Sequence, residues 1–418
     1  MRQRILVALV LAFFSLAAMP RDTMRSTGTA RFAGAAFPLF PGSRVPIRID
    51  DTRGKYDVAV VGPGSIEHDA FVVPAQTRAR SSTLVASGES FVAMRSFQIV
   101  PPPSFDASFI AVASYDAGIV IHNDDARFTV QGTLGIGGAP SDVAIDARGR
   151  IAAGDTSGDT LSVASPAPWS VDRYSGVPFS DAVAFDPRSG AVFATNRDVN
   201  GQGALTRVLR DGTTSRVILG TTAEGIVIDT KRRRVYVANV NDGTISVVNA
   251  DSMREVARFY AVARAFSLAL SSDGSCLYVV SNQSTGSLFA APGSVVAIDV
   301  RGSRHRVIAR SAPLSFPLGI ALDERGHRLF VTDENENDVD VLDTATLRAG
   351  RAPLKTCDTP WQPTLDTASG RLYVPCAQSD AVDVFSTRTL HEIAGAPFHT
   401  GGYPLAVAIW HPKTPALR

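Results

Sequence analysis

The middle of the chain reads Ile226-Val-Ile-Asp229, then, after a basic turn, Val235-Tyr-Val-Ala-Asn239 and Thr244-Ile-Ser-Val-Val-Asn249. Short runs of alternating apolar residues are typical of strands whose two faces are packed differently. Asp at the start of a turn hydrogen-bonds to its own backbone, and such turns join antiparallel strands. This stretch therefore predicts three consecutive antiparallel strands.

The same pattern recurs along most of the chain. Its first strand ends in an aspartate at five places, which we call the anchor aspartates, and in Ser271 at a sixth. The anchors lie in Val143-Ala-Ile-Asp146, Val183-Ala-Phe-Asp186, Ile226-Val-Ile-Asp229, Ile320-Ala-Leu-Asp323 and Pro363-Thr-Leu-Asp366. With Ser271 included, the successive steps are 40, 43, 42, 52 and 43 residues. A period of this length fits units of four short strands.

The two ends of the repeat array are incomplete. Phe109–Tyr115 and Ile119–His122 read as a second and a third strand with no first strand before them. Leu405–Trp410 reads as a first strand with no second strand after it. The two partial units complete each other, so the sequence predicts an all-β, seven-bladed β-propeller over residues 104–412, closed by its C-terminal strand.

The segment Arg234-Val-Tyr-Val-Ala-Asn239 and its relatives at 328–333 and 371–376 resemble the YVTN-repeat β-propeller family, which includes YncE-like proteins. The resemblance implies that the first strand of each blade lines a central channel. It also implies that two sets of loops share one face: the loops leading into the first strands, and the loops between strands two and three. Lactonases and quinoprotein dehydrogenase chains look similar at the level of single blades, and one periplasmic family member binds nucleic acid.

The chain before the ring is organised differently. Residues 1–18 read as a signal peptide, with Arg2 and Arg4 before an apolar run, and residues 19–42 as a linker. Residues 43–100 contain strand candidates at short spacing, which suggest a small Ig-like β-sandwich. An irregular β-region packed on the ring is the alternative. We expect an exported protein, periplasmic or extracellular, that does not span a membrane.

Composition restricts the partners. The net charge of +1 gives no general affinity for polyanions. Basic turns between strands one and two still permit nucleic acid as a partner, although it is the least favoured one. Cysteine is scarce, and we expect Cys357 to pair with Cys376, which the resemblance places one strand apart on the same face. Cys276 then stays free; three separate thiols are the alternative.

The position before each first strand is the most informative one for function. Proline precedes it in four units, which fixes the backbone there. Around the ring this position is occupied by Ser141, Asp181, Glu224, Phe266, Leu318, Trp361 and Leu405, with Arg264 and Tyr403 close by. One side of such a channel mouth is polar and the other apolar. We predict that an amphipathic ligand binds there, although the apolar members could instead plug the channel. The predicted ligand-binding residues are Asp181, Glu224, Phe266, Trp361 and Tyr403.

Two functions fit these patterns. The first is a monomeric binding or scaffold module for a small amphipathic ligand or another exported protein. The second is an enzyme, a lactonase-type hydrolase or a lyase, acting at the channel mouth. No catalytic set of residues stands out, no cofactor or metal site is predicted, and the seven histidines lie at unrelated positions of the repeat.

Overall fold

The computed structural model describes residues 31–32, 37–47, 49–50, 56–88, 91–198, 200–282 and 292–412. The predicted signal peptide, residues 1–18, lies outside the described residues, as does most of the predicted linker. The regular secondary structure of the described residues consists of β-strands, apart from one 3-10 turn at Ala377–Ser379. No described helix has the length and apolar character needed to span a membrane.

The N-terminal region, residues 37–100, contains two three-stranded antiparallel sheets. Their strand orders are β2-β6-β5 and β4-β7-β8, and a third pair, β1-β3, lies beside them. The strands are β1 (Arg31–Phe32), β2 (Arg44–Pro46), β3 (Ile49–Asp50), β4 (Asp57–Val61), β5 (Ser65–Glu67), β6 (Ala70–Val72), β7 (Ser81–Ser87) and β8 (Val92–Gln98). Phe71, Leu84 and Phe97 pack in one apolar core shared by this region. The Ig-like assignment of the two sheets stays a prediction.

The remaining described strands form seven four-stranded antiparallel sheets. In chain order the strands are β9 (Phe109–Ser114), β10 (Gly118–Asn123), β11 (Val130–Leu134), β12 (Val143–Ile145), β13 (Ile151–Gly154), β14 (Thr160–Pro166), β15 (Trp169–Ser175), β16 (Ser180–Phe185), β17 (Val192–Arg197), β18 (Gln202–Val208), β19 (Thr214–Thr221), β20 (Ala223–Asp229), β21 (Arg234–Asn239), β22 (Thr244–Asn249), β23 (Arg254–Tyr260), β24 (Ala265–Leu270), β25 (Cys276–Ser281), β26 (Ser294–Asp299), β27 (Arg306–Arg310), β28 (Pro317–Asp323), β29 (Arg328–Asp333), β30 (Asp338–Asp343), β31 (Leu354–Lys355), β32 (Thr364–Asp366), β33 (Arg371–Cys376), β34 (Ala381–Ser386), β35 (Phe398–His399) and β36 (Pro404–Trp410).

The C-terminal strand completes the first sheet. β36 pairs antiparallel with β9, with Val407 opposite Val112 and Trp410 opposite Phe109. The first strands of neighbouring sheets contact one another in a closed cycle, from β12 through β16, β20, β24, β28 and β32 to β36 and back to β12. The predicted closure of the repeat array by its last strand is therefore confirmed. The pairing also covers an edge of β9 that would otherwise be unpaired and invite aggregation.

The anchor aspartates organise the turns between first and second strands. Asp146 accepts the backbone N–H groups of Arg148 and Arg150, both at 2.9 Å. Asp229, Asp323 and Asp366 accept backbone N–H groups of their own turns in the same way. A carboxylate in this position satisfies donors that the turn would otherwise leave unpaired, which explains why the anchor recurs.

Basic side chains of these turns bind neighbouring sheets. Arg233 forms an ion pair with Asp186 of the preceding sheet. The Nη1 atom of Arg371 lies 2.7 Å from Oδ1 of Asp124. Arg232 donates to the backbone carbonyls of Asp273 and Gly274 in the next sheet, at 2.9 and 3.1 Å. Much of the positive charge predicted at this end of the ring is therefore used to join sheets.

The N-terminal region packs directly on the ring. Phe40 lies in the apolar core of the first and second sheets, and its backbone N–H donates to the carbonyl of Thr133 at 2.9 Å. Trp169 donates its indole N–H to the carbonyl of Pro41 at 2.8 Å. The described end of the predicted linker, residues 37–42, is thus a folded part of this interface.

Candidate functional site

A cavity of about 640 Å³ lies where the loops lead into the first strands, and we call it the mouth. All five predicted ligand-binding residues line it: Asp181, Glu224, Phe266, Trp361 and Tyr403. Ser141, Leu318 and Leu405, which hold the same position in the other units, line it as well. The structure therefore brings the whole ring of aligned positions into one cavity.

A bulge at the start of the first strands turns these side chains toward the mouth. The pairing register shifts between Ser180 and Val183, and again between Ala223 and Ile226. Equivalent shifts occur at the start of β24, β28 and β36. A bulge leaves residues unpaired and re-aims their side chains, here at the positions that line the mouth.

A left-handed residue precedes the lining position in five units. The residues are Phe179, Thr222, Arg264, Thr359 and Tyr403, with φ between 48° and 61°. Each lies two residues before a lining residue. A positive φ is uncommon outside glycine, and it persists only where the surrounding structure imposes it. The leading loops are fixed by this conformation as well as by proline.

Arg197, at the end of β17, joins two of the acidic residues. Its Nη1 forms an ion pair with Asp181 and lies 3.0 Å from Oε1 of Glu224. Burial raises the pKa of Asp181 to about 6, and Arg197 offsets only part of this effect. Burial and the neighbouring Asp181 raise the pKa of Glu224 well above its usual range. One guanidinium therefore serves two carboxyl groups.

Asp142 is a third carboxyl group in the mouth, and the sequence analysis missed it. Its Oδ1 accepts the N–H of Val143 at 2.9 Å, and its Oδ2 accepts the N–H of Val183 at 2.8 Å. Burial raises the pKa of Asp142 to about 7. Among the described residues, no side-chain cation forms an ion pair with it. The repeat alignment could have singled it out, because the equivalent residues are Ala182, Gly225, Ser267, Gly319, Gln362 and Ala406.

The opposite wall of the mouth is aromatic and apolar. Trp361 is half-buried, and its indole N–H is buried without a hydrogen-bond partner among the described residues. Tyr403 packs edge-on against Tyr115, with ring centroids 6.2 Å apart. Both tyrosines are exposed, at 36% and 43%. A ligand placed here would meet aromatic side chains.

The cysteines lie outside the mouth. Cys357 and Cys376 form a disulfide, with their Sγ atoms 2.09 Å and their Cα atoms 5.6 Å apart. Cys276 is free.

A Ser–His–Asp chain of hydrogen bonds lies at the opposite end of the first strands. His411 contacts Ser108 through Nδ1 at 3.0 Å and the anchor Asp366 through Nε2 at 2.9 Å. It joins the start of the ring to its end. Within the described residues, no group of three His, Cys, Asp or Glu side chains is arranged to hold a metal ion.

Comparison with known proteins gives the fold. No protein-family model matches the chain, and no curated protein does. Among solved structures, a functionally unknown protein from Desulfotomaculum acetoxidans is 16% identical with a TM-score of 0.61, over 73% of this chain and 99% of that one. A putative 6-phosphogluconolactonase from Bacteroides uniformis is 14% identical with a TM-score of 0.59, over 73% and 99%. The periplasmic gluconolactonase PpgL of Pseudomonas aeruginosa is 16% identical with a TM-score of 0.57, over 73% and 99%.

This chain has a β-propeller fold. At these identities the likeness shows the fold alone, because one propeller architecture supports many unrelated functions.

Proposed function

We propose that the seven four-stranded sheets are the blades of a single seven-bladed propeller of the YVTN-repeat type, and that its mouth binds a small amphipathic ligand. The closed cycle of first-strand contacts supports the first part. The division of one cavity into a carboxyl-rich side and an aromatic side supports the second. Carboxyl and aromatic groups held in a fixed frame give orientation and contact area to a bound molecule.

The ligand expected from this division has a flat apolar body and a cationic or hydroxylated end. The apolar body would lie against Phe266 and Trp361, and the polar end would face the carboxyl groups. Leading loops held by proline and by left-handed residues reduce the ordering that binding requires, which favours affinity.

A thermal-shift screen of aromatic amines and alcohols tests this proposal. Hits should lose at least tenfold in affinity in Trp361→Ala and in Glu224→Gln. Matched controls are Tyr260→Ala and Glu255→Gln on the outer strand β23, which should bind as the parent protein does. Equal binding by the parent and by both mouth variants would remove the mouth as the site.

An enzyme acting at the mouth is the second candidate, and Asp142 favours it. A carboxyl group with a pKa of about 7 is suited to general acid–base catalysis near neutral pH. In a lactonase-type hydrolysis, the water oxygen would add to the carbonyl carbon while Asp142 accepts its proton. The ring C–O bond would then break as Asp142 returns the proton to the departing alkoxide oxygen, which becomes the hydroxyl group of the product. Lactone-hydrolysis assays should then lose at least a hundredfold in rate in Asp142→Asn and stay unchanged in Asp159→Asn, an exposed control.

The proposed setting is outside the cytoplasm, with the signal peptide of residues 1–18 removed and the N-terminal region forming a small β-sandwich. The protein would act as a monomer on a small ligand or on another exported protein. The inter-sheet ion pairs of the basic turns leave less free charge for nucleic acid. Mass spectrometry of the secreted protein tests this, because an uncleaved N-terminus would contradict export by a signal peptide.

A further inference from the structure

A second cavity, of about 600 Å³, lies between the N-terminal region and the ring, and we call it the cleft. The N-terminal region contributes Val45, Pro46 and Phe97 to its walls, and the ring contributes Ala117 and Ile136. The charged groups that line it are balanced, with Arg44 and Arg95 against Asp116 and Asp380. The cleft therefore offers apolar surface with little net charge.

The cleft and the mouth meet at Tyr115, whose side chain lines both cavities. The backbone N–H of Tyr115 donates to the carbonyl of Tyr403 at 3.0 Å, and that of Asp116 donates to Gly402 at 3.2 Å. These bonds fix the β9–β10 turn against the last leading loop. The two exposed tyrosine rings therefore stand at the junction of the cavities in a set orientation.

Asp142 is the carboxyl group of the mouth that has no cationic partner among the described residues. Arg197 is already shared between Asp181 and Glu224, whereas both carboxylate oxygens of Asp142 accept only backbone N–H groups. A charged group in such a position gains most from a ligand of the opposite sign, because the surroundings screen the interaction less than bulk water does. The mouth thus favours a cationic head group.

We propose that the mouth and the cleft form one continuous groove, and that its ligand is an elongated amphipathic amine. The ammonium head lies at Asp142, and the apolar tail crosses Tyr115 and Tyr403 into the cleft. This inference rests on the proposed function and deepens it, since it assigns part of the ligand site to the N-terminal region. A molecule that filled only the mouth would leave the apolar walls of the cleft without a partner.

Calorimetric titration of the full-length mature protein with n-alkylamines, from butylamine to decylamine, tests the groove. Each methylene buried in the cleft should increase affinity by about fourfold, which corresponds to about 0.8 kcal/mol. Decylamine should also bind at least tenfold more tightly than decanol, because only the amine pairs with Asp142.

Two variants fill the cleft from opposite walls, Ala117→Trp from the ring and Pro46→Trp from β2. Both should bind butylamine as the parent protein does and lose at least tenfold in affinity for decylamine. Ala345→Trp is the matched control, because Ala345 lies in an exposed turn that lines neither cavity.

The outcomes separate the two proposals. If butylamine and decylamine bind the parent protein equally, or if both cleft variants bind decylamine as the parent does, the groove is wrong and the mouth stands alone. If no amine binds the parent protein, the groove is overturned as well. The aromatic-ligand screen then decides the proposed function separately.

Discussion

Asp142 and Arg197 set the charge of the mouth between them. Arg197 compensates part of the burial of Asp181 and Glu224, whereas among the described residues no side-chain cation pairs with Asp142. The aligned repeat places Asp181 and Glu224 at the lining position of their units, so the sequence predicts both of them. Asp142 occupies the next position, where no other unit carries a charge, and Arg197 comes from the end of a different strand. Which basic side chain reaches a site across blades depends on three-dimensional packing that a repeat alignment does not contain.

Raised carboxyl pKa values predict that cation binding depends on pH. Burial raises the pKa of Asp181 to about 6 and that of Asp142 to about 7, so both groups become protonated as the pH falls below those values. The affinity for protonated benzylamine should therefore rise at least tenfold from pH 5 to pH 8, because one titrating group changes affinity up to about tenfold per pH unit. Benzyl alcohol, measured in parallel by calorimetry, should show a flat profile. An equally flat profile for benzylamine would contradict the assignment of a cationic site.

We predict that Arg233 contributes more to stability than the other basic side chains of the turns. Its guanidinium donates to both carboxylate oxygens of the fully buried Asp186, at 3.0 and 2.8 Å, and also pairs with Asp251. Arg233→Met would leave a buried carboxylate without its partner, which costs about 3–5 kcal/mol of unfolding free energy. Arg301→Met removes a largely exposed ion pair with Asp299, which solvent screens, so its effect on unfolding free energy should be much smaller. Urea denaturation of the two variants compares them, and equal midpoints would refute the inter-sheet role of Arg233.

The ion pair between Arg233 and Asp186 should also make the stability of the protein depend on pH. Burial alone would raise the pKa of Asp186, but hydrogen bonds from Arg233 and Ser189 lower it to about 2. A carboxyl group whose folded pKa is depressed stabilises the protein above its unfolded pKa and loses that contribution as the pH falls toward its folded pKa. The stability advantage of the parent over Arg233→Met should therefore shrink between about pH 4 and pH 2.

Among the elements, the first strands could be predicted best. Their apolar runs and anchor aspartates recur, and the turns form the hydrogen bonds that Asp in this position favours. The bulges and left-handed residues ahead of these strands could not be predicted, since Phe179, Thr222 and Thr359 have no preference for a positive φ. Tertiary packing imposes that conformation, so local sequence carries no sign of it.

The C-terminal strand β36 is predicted to be essential for the closed fold. Deletion of residues 403–418 would remove the partner of β9 and expose the edge of a fully buried strand. The truncated protein should be insoluble or rapidly cleaved by protease, because an exposed apolar strand edge promotes aggregation. Deletion of residues 413–418 alone is the matched control and should leave solubility unchanged. A soluble 403–418 deletion that unfolds cooperatively would refute the closure.

The disulfide between Cys357 and Cys376 ties the loop that leads into β32 to the end of β33. The two residues are 19 positions apart, and closing a loop of this length contributes about 3 kcal/mol in the chain-entropy estimate. Thiol titration of the denatured, unreduced mature protein should find one reactive group, from Cys276. Three reactive groups would show that the disulfide does not form. Cys276→Ser should bring the count from one to zero.

At the scale of the whole molecule, repetition made the ring predictable. Every unit repeats the same strand pattern, so a strand that is hard to recognise in one unit can be inferred from its counterparts in the others. The two incomplete ends indicate closure. The N-terminal region has no such redundancy. Its attachment depends on individual contacts, such as those of Phe40 in the ring core and the hydrogen bond from Trp169 to Pro41. These contacts do not recur along the sequence, so a repeat pattern cannot predict them.

The mouth also shows why the fold of this chain does not determine its function. Its position follows from the architecture, since every first strand contributes to its lining. Its chemistry follows from which side chains the individual units carry, three carboxyl groups and one arginine on one side and aromatic rings on the other. One propeller architecture supports many unrelated functions, so the likeness to lactonases in fold does not transfer their activity.

The central claim, that the mouth is the ligand site, is tested most directly by a crystal structure of the protein with the best hit of the amine and alcohol screen. The account predicts density for the ligand inside the mouth, with its polar end within 3.5 Å of Asp142, Asp181 or Glu224, a hydrogen-bond distance, and its apolar body against Trp361. Density at another surface, with an empty mouth at a ligand concentration that saturates binding in solution, would contradict it.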